Sequence, residues 1–504
     1  MIVGWQHGRT AAETFGPNGG EPPPETVAEL GAVAEAIEPP PLLDALKYPD
    51  IRDDPAFEPD DGRFAPALDK CVATFRSWLH FPDPGPLYVT LAAVVANREL
   101  EDDPVWALIV GSPGTGKTEI LNAIIAQPDV YPAGTLTEPS LLSGTPKKDR
   151  SAKSKGGLLR EIGSFGILVC KDFGSVMSMN RDPRGQLLAA LREIYDGAWT
   201  RNVGTEGGMT LTWEGKIGLI GGCTPAIDSH HAVMGAMGER FALYRVSTTE
   251  DDEREQSRRA LGRLSDRDMR QALIGAVEPV LTAASLDGLP HSPDLETTEW
   301  LVDLSTLAVR CRSSVDRDGY SREIELVPDP EMPARLALVL WRLLRAMTAI
   351  GVPLAEARRL TAKVALDSMP ALRSAVLNKL PRDGSPVATT KVASSLGYPT
   401  TTARRALEDL AAHRVVRRHQ HGPGKSDEWT LSEWTMSRLR AIAVTVPEMS
   451  VGDRERAPEA PGNGVDPASL TYPPPALTDI SGTPSTSAVG DPEFAKDDDA
   501  EVSA

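Results

Sequence analysis

The sequence predicts an α/β protein: a three-layer αβα core around a parallel sheet, a helix-rich stretch, a small α+β module, and disordered termini. Three observations predict it. Residues 111–118 read Gly-Ser-Pro-Gly-Thr-Gly-Lys-Thr between an apolar, β-prone run (105–110) and a run with helical spacing (119–126). Residues 105–246 alternate apolar runs with helical segments, the pattern of parallel strands joined by crossover helices. Residues 382–431 read as helix, turn, helix and two strands about a basic turn.

Taken in order, residues 1–66 are rich in Pro, Gly and Glu, including Glu21-Pro-Pro-Pro-Glu25 and Glu38-Pro-Pro-Pro41. Such a composition does not build a core, and a short helix is expected only near 26–37. The spacing of Leu68, Val72, Phe75 and Leu79 predicts a helix over 67–80, with a second over 86–98. The core spans 67–246. Residues 247–365 form a helical, lid-like region and 366–446 the α+β module, opening on a helix over 366–379. The rest, 447–504, is an acidic tail expected to be disordered.

The chain has 504 residues, enough for two or more domains. It contains no eighteen-residue apolar run, and its first residues lack the apolar centre of a secretory signal, so no membrane association is expected. Cys71, Cys170, Cys223 and Cys311 are far apart and form no C-x-x-C pair. They are expected to be reduced, buried thiols of a cytoplasmic protein. The net charge of −18 excludes a general nucleic-acid coat protein but not a local basic site. Residues 452–504 carry 11 acids against 3 bases, a net of −8. Residues 381–430 carry 8 bases against 5 acids, a net of +3.

The octet carries the chemistry. Its glycines let backbone N–H groups turn around a phosphate, and the helix N-terminus adds partial positive charge. Gly111, Ser112, Pro113, Gly114, Thr115 and Gly116 form a candidate phosphate cradle. Lys117 is the candidate contact to β- and γ-phosphates, and Thr118 a candidate Mg²⁺ ligand. ATP with Mg²⁺ is the expected ligand. The next apolar strand, 166–170, ends in Lys171-Asp172-Phe173. An acid at the end of a strand beside such a loop organises metal and water, so Asp172 is the candidate catalytic and metal-binding acid. A helix over 185–195, a hairpin with its turn at 204–208, and a strand over 216–223 ending in Thr224-Pro225 follow.

This octet and order of elements resemble the AAA+ ATPases with a pre-sensor-1 β-hairpin, a branch that includes the minichromosome-maintenance helicases and some transposition and phage ATPases. The resemblance covers roughly residues 86–350. It implies ATP hydrolysis at the subunit interfaces of a homo-oligomeric ring. Thr224 matches the sensor-1 position, where the family usually places Asn. Gly238-Glu-Arg240-Phe241 is similar to the family's Ser-Arg-Phe element, whose Arg touches the neighbour's γ-phosphate. Arg240 is therefore the candidate catalytic arginine, with Arg245 in reserve. Pro333-Ala-Arg335-Leu336 resembles the start of the sensor-2 helix, which implies that Arg335 leans over the nucleotide. The family carries Asp-Glu where this chain has one acid. One count puts Lys171 in the metal position and Asp172 in the water-polarising position. The other puts Asp172 at the metal and Phe173 where the Glu would stand. The loop 145–155, with five bases and one acid, suits DNA in a ring's channel or a merely solvated loop. The hairpin turn carries Glu206 and no base.

Within 382–431, Thr389–Gly397 reads as a short helix, Tyr398–Thr402 as a turn supplying hydroxyl caps, and 403–413 as a second helix. The pattern is similar to the winged-helix DNA-binding modules of bacterial regulators. It implies that Thr401, Arg404 and Arg405 face a DNA groove, while Arg417, Arg418 and Lys425 touch its backbone. His413, His419 and His421 lack ligand spacing and read as polar surface. The reading is an ATP-hydrolysing AAA+ protein acting on DNA, as a replication or mobile-element helicase or remodelling motor. Its alternative is an ATP-gated transcription regulator with weak turnover.

Overall fold

The computed structural model describes residues 65–101, 103–143, 156–204, 209–236, 240–262, 265–422 and 425–445. The expectations for the N-terminal stretch, the basic loop 145–155, the hairpin turn at Glu206 and the acidic tail lie outside the described residues.

Strand β1 (Trp106–Val110) follows two helices, and β2 (Val130–Pro132), β3 (Phe165–Cys170), β4 (Ala198–Val203), β5 (Met209–Glu214), β6 (Lys216–Cys223) and β7 (Phe241–Arg245) follow it. Five of them form one parallel sheet in the order β2-β3-β6-β1-β7. The other two, β4 and β5, pair antiparallel as the expected hairpin. Every residue of β1 is buried, as a central parallel strand covered on both faces requires. Its side chains alternate between two cores: Ala107 and Ile109 join one, Trp106, Leu108 and Val110 the other.

The first core is roofed by helices. Pro66–Trp78 and Gly85–Glu99 each begin on a proline near the first turn, where a missing N–H costs nothing. Gly85–Glu99 is buried on nearly all sides because it runs between the sheet and Ala334–Ala349. Buried Asn97 closes the turn into β1, accepting from Val105 N and donating to Val105 O, both at 2.9 Å. The stretch 247–365 does not stand off as a lid. Asp266–Ala283 packs on Pro66–Trp78 and Lys117–Ile125, and its Met269, Leu273 and Val277 share the core with Ile109. The helix Glu250–Gly262 is the exception, for none of its residues is buried. The second core is closed by Arg181–Tyr195, the β4–β5 hairpin and short helices.

The single helix expected over 366–379 is two, Leu354–Asp367 and Ala371–Lys379, interrupted at Pro370, which lacks the N–H a continuous helix needs. Thr389–Leu396 stops at Gly397, whose φ of 68° a side chain would resist. Thr400–Ala412 starts from Pro399, and no hydroxyl caps it, contrary to the expectation for Thr400–Thr402. Val416–His419 pairs antiparallel with Glu428–Leu431, and a two-residue strand, Val387–Ala388, joins the latter's other edge. Glu433–Thr445 packs on Leu295–Arg312, so the module shares the first core. Among the described residues no helix is long and apolar enough to cross a membrane. All four cysteines are free and buried.

Candidate functional sites

Three clusters of the predicted residues stand at three places in the fold. The first is the C-terminal edge of the sheet, where Val110 of β1 lies level with Cys223 of β6 and Arg245 of β7. The chain leaves β1 toward one core and β6 toward the other, opening the kind of crevice in which α/β sheets bind ligands. Gly114 and Gly116 have φ of 89° and 81°, a left-handed backbone that turns amides inward. Ser112, Pro113, Gly114 and Thr118 are exposed, and Thr115 and Gly116 half-buried. Gly111 is buried, its N–H on Cys223 O. Lys117 Nζ donates to the carbonyls of Gly111 and Ser112 at 2.7 Å and to Thr115 Oγ1 at 3.2 Å. Burial lowers the pKa of this ammonium.

A close approach brings β3 beside the loop. A Cβ at Gly222 would meet Lys171 O at 3.0 Å and Leu121 Cδ1 at 3.3 Å, with Lys117 Cβ at 3.9 Å. Phe173 donates its N–H to Gly222 O at 2.8 Å, and its ring is buried against Phe241. Phe173 therefore faces the core, and Asp172 is left exposed at the strand end. The Cys223 thiol, pushed up to about 12 by burial, feels Arg245, Lys117, Asp228 and Asp172, which sets all four charges about one strand end. Half-buried Thr224 follows, its side chain making no cap to the 3₁₀ turn Pro225–His230.

Arg245, the reserve arginine, is fully engaged within the chain. It makes a bidentate pair with Asp228 at 2.8 Å, and donates to the carbonyls of Asp367 and Met369. Beside it, His231 bonds to the Arg312 carbonyl. Burial, with Arg373, pushes its pKa from 6.5 to about 4. The unfolded chain then takes up a proton before the folded one does. This contribution to stability is present above pH 6.5 and is lost as pH falls toward 4. A denaturation series across that window should show the loss, and His231→Gln should flatten it.

One contact to the phosphate loop was not anticipated: Gln256 Nε2, on Glu250–Gly262, donates to Gly114 O at 2.7 Å. That helix is otherwise held by His80–Asp252 at 2.7 Å and by Arg259 on the carbonyls of Arg76 and Leu79. Its sequence signal was the reciprocal Thr249–Asp252 cap.

The second cluster occupies the opposite edge. Phe241 pairs with Trp106, so Arg240 lies at the N-terminal end of β7, about 17 Å of strand away from the phosphate loop. It is 8% exposed. Arg240 donates to both oxygens of Asp196 at 2.9 Å and lies 5.1 Å over the Tyr195 ring. Arg335 and Arg342 are also felt by Tyr195, and Arg335 pairs with Glu331 at 3.0 Å. Arg335 thus does not lean over its own chain's phosphate loop. The helix that carries it packs on Gly85–Glu99, and its Arg342 donates to Asp103 O just before β1, at that same edge.

The third cluster is on the C-terminal module. Thr401, Arg404, Arg405, Arg417, Arg418 and Lys425 are all exposed. Asp427 accepts from Arg418 at 2.7 Å and pairs with Arg404 at 3.4 Å, binding the helix to the strand and offsetting part of the positive charge. His419 and His421 bond to Thr430 and Glu428. His413 is not surface: it is 3% exposed and bonded to Ser314 O, because its helix end packs against the segment that follows Leu295–Arg312.

Neither a protein-family model nor a curated protein matches the chain. Among solved structures it is similar to the A-form apo structure of the NrS-1 C-terminal region, at 11% identity and TM-score 0.20. A second apo structure of that region aligns at 11% identity and TM-score 0.21. Each alignment covers 79% of this chain and 79% of the other. At such TM-scores the likeness carries no argument.

Proposed function

We propose that this chain is an AAA+ type P-loop ATPase that assembles into a ring and works on DNA through a winged-helix module. The observation that carries the reading is one sheet edge bearing Lys117, Thr118 and Asp172 around the glycine turn 111–116, whose tip at 112–114 is exposed. The loop amides and the Lys117 ammonium would hold the phosphates of ATP. Lys117 would exchange its bonds to the Gly111 and Ser112 carbonyls for phosphate oxygens. Thr118 and Asp172 offer oxygen ligands for Mg²⁺, which when bound neutralises charge on the β- and γ-phosphates. Thr224 presents a hydroxyl for the γ-phosphate or the attacking water.

Arg240 and Arg335, away from their own loop, are read as groups for the phosphate of a neighbouring subunit. The exposed arginines of the module supply the DNA contact. Calorimetry with Mg-ATP tests the premise: wild type should bind, and Lys117→Ala should bind at least about tenfold more weakly, or 1.4 kcal/mol. No heat with wild type would end this reading. Phe173, buried where a second acid would stand, favours one other: nucleotide that gates DNA binding with slow turnover. DNA affinity that changes with ATP while turnover stays negligible would select it.

A further inference from the structure

We infer that the C-terminal module has a second anion site, formed by Arg310, Arg414 and Arg438 around Trp434, that takes a backbone phosphate of duplex DNA. This rests on the DNA-binding reading of the module and extends it to surfaces that no sequence motif marked.

Three elements bring the guanidinium groups together. Arg310, on Leu295–Arg312, lies 4.2 Å over the Trp434 ring, and Arg438, on Glu433–Thr445, lies 5.6 Å from the same ring. Arg414 comes two residues after Thr400–Ala412, and its carbonyl accepts from Ser432 Oγ at 2.8 Å, two residues before Trp434. Arg310 is close enough to both other arginines that, after burial, their charges lower its pKa. The local acid is Asp303, which pairs with Arg438 Nε at 2.9 Å and has Glu299 one turn away. Among the described residues, the side chains of Arg310 and Arg414 have no hydrogen-bond or carboxylate partner. Two guanidinium groups therefore keep their donors free while repelling each other. A phosphate oxygen pair both satisfies the donors and relieves the repulsion.

The backbone adds an independent observation. Arg414 has φ of 62°, the left-handed conformation that helix ends usually give to Gly or Asn. The negative end of the helix favours a cation there. That does not account for two further arginines brought against it from other helices. A side chain kept at a cost in backbone strain, with no partner in the chain, points to a partner outside it.

The place fits the occupant. Thr400–Ala412 has 13 residues and is about 20 Å long, whereas the major groove is about 12 Å wide. With Arg404 and Arg405 at the groove, the other end of the helix reaches the flanking backbone.

The test measures binding of a short duplex of arbitrary sequence to the full chain across a salt series. Arg414→Gly suits the left-handed backbone, so its melting temperature should hold while the log–log salt slope falls by up to about 0.9, the share of one phosphate. Adding Arg310→Gln should complete that loss at about 0.9 without doubling it, and Arg310→Lys should restore part of it. The same decrement should appear in an Arg404→Ala, Arg405→Ala background. An unchanged slope in the Arg310–Arg414 double variant, with a reduced slope in the Arg404–Arg405 variant, overturns the patch and spares the module's DNA reading. A loss seen only with single-stranded DNA of the same length overturns the duplex assignment. Wild type without salt-dependent affinity for duplex overturns both.

Discussion

Arg240→Ala is expected to lower ATP turnover about 10³-fold while leaving ATP affinity unchanged. Its place decides why. Arg240 precedes Phe241, which pairs with the first residue of β1, whereas the phosphate loop follows the last. On the proposed reading, a group on that edge would act only on a nucleotide held by another copy. Lys117→Ala should be equally inactive because it spoils its own loop. Mixing the two inactive variants in equal amounts should then restore activity at about a quarter of the interfaces, those joining an intact loop to an intact arginine. No recovery on mixing would show that Arg240 does not serve a neighbour. Within one chain the arginine is held by Asp196, itself largely exposed, so the acid and an incoming phosphate would compete for the same guanidinium.

Glu356→Ala should cost about 3–5 kcal/mol, a large share of the roughly 5–15 kcal/mol that keeps an ordinary domain folded. Glu356 and Arg359 form a buried bidentate pair at 2.6 Å on one turn of Leu354–Asp367. Burial alone would lower the pKa of Arg359, but the Glu356 carboxylate outweighs it and holds the guanidinium charged. Removing the acid takes two hydrogen bonds and the main countercharge from that buried guanidinium. The helix also anchors β7, since Asp367 accepts from Arg245 N and Lys363 donates to Arg245 O. Urea denaturation should show the loss, and Glu356→Gln, which keeps the shape, should lose less. Equal midpoints for wild type and Glu356→Ala would mean that water reaches the pair.

What the sequence made legible was local. The strand, glycine loop and helix around Lys117 are consecutive, and so are the hairpin and the helices over 66–99. Position on the sheet was not legible, because it depends on partners far along the chain. Arg335 was misplaced because its helix lies against Gly85–Glu99, some 240 residues earlier, and no pattern within 334–349 encodes that. Arg245 read as an available cation until Asp228 and Asp367 closed on it. His413 became interior through a carbonyl at Ser314, and Arg404 met Asp427 across the module. The strand Val387–Ala388 is two residues long, too short for any periodicity to declare. Phe173 is the instructive case: its burial against Phe241 leaves a single acid at the strand end.

The helix Glu250–Gly262 touches the glycine loop through Gln256 yet fully buries none of its residues. Its attachment should therefore carry a smaller heat-capacity change than the apolar roof around it. Warming would loosen it gradually and added salt would weaken it, while agents that act on hydrophobic contacts would leave it in place. This helix, in contact with the glycine turn, is thus governed by different solution conditions from the scaffold that carries it.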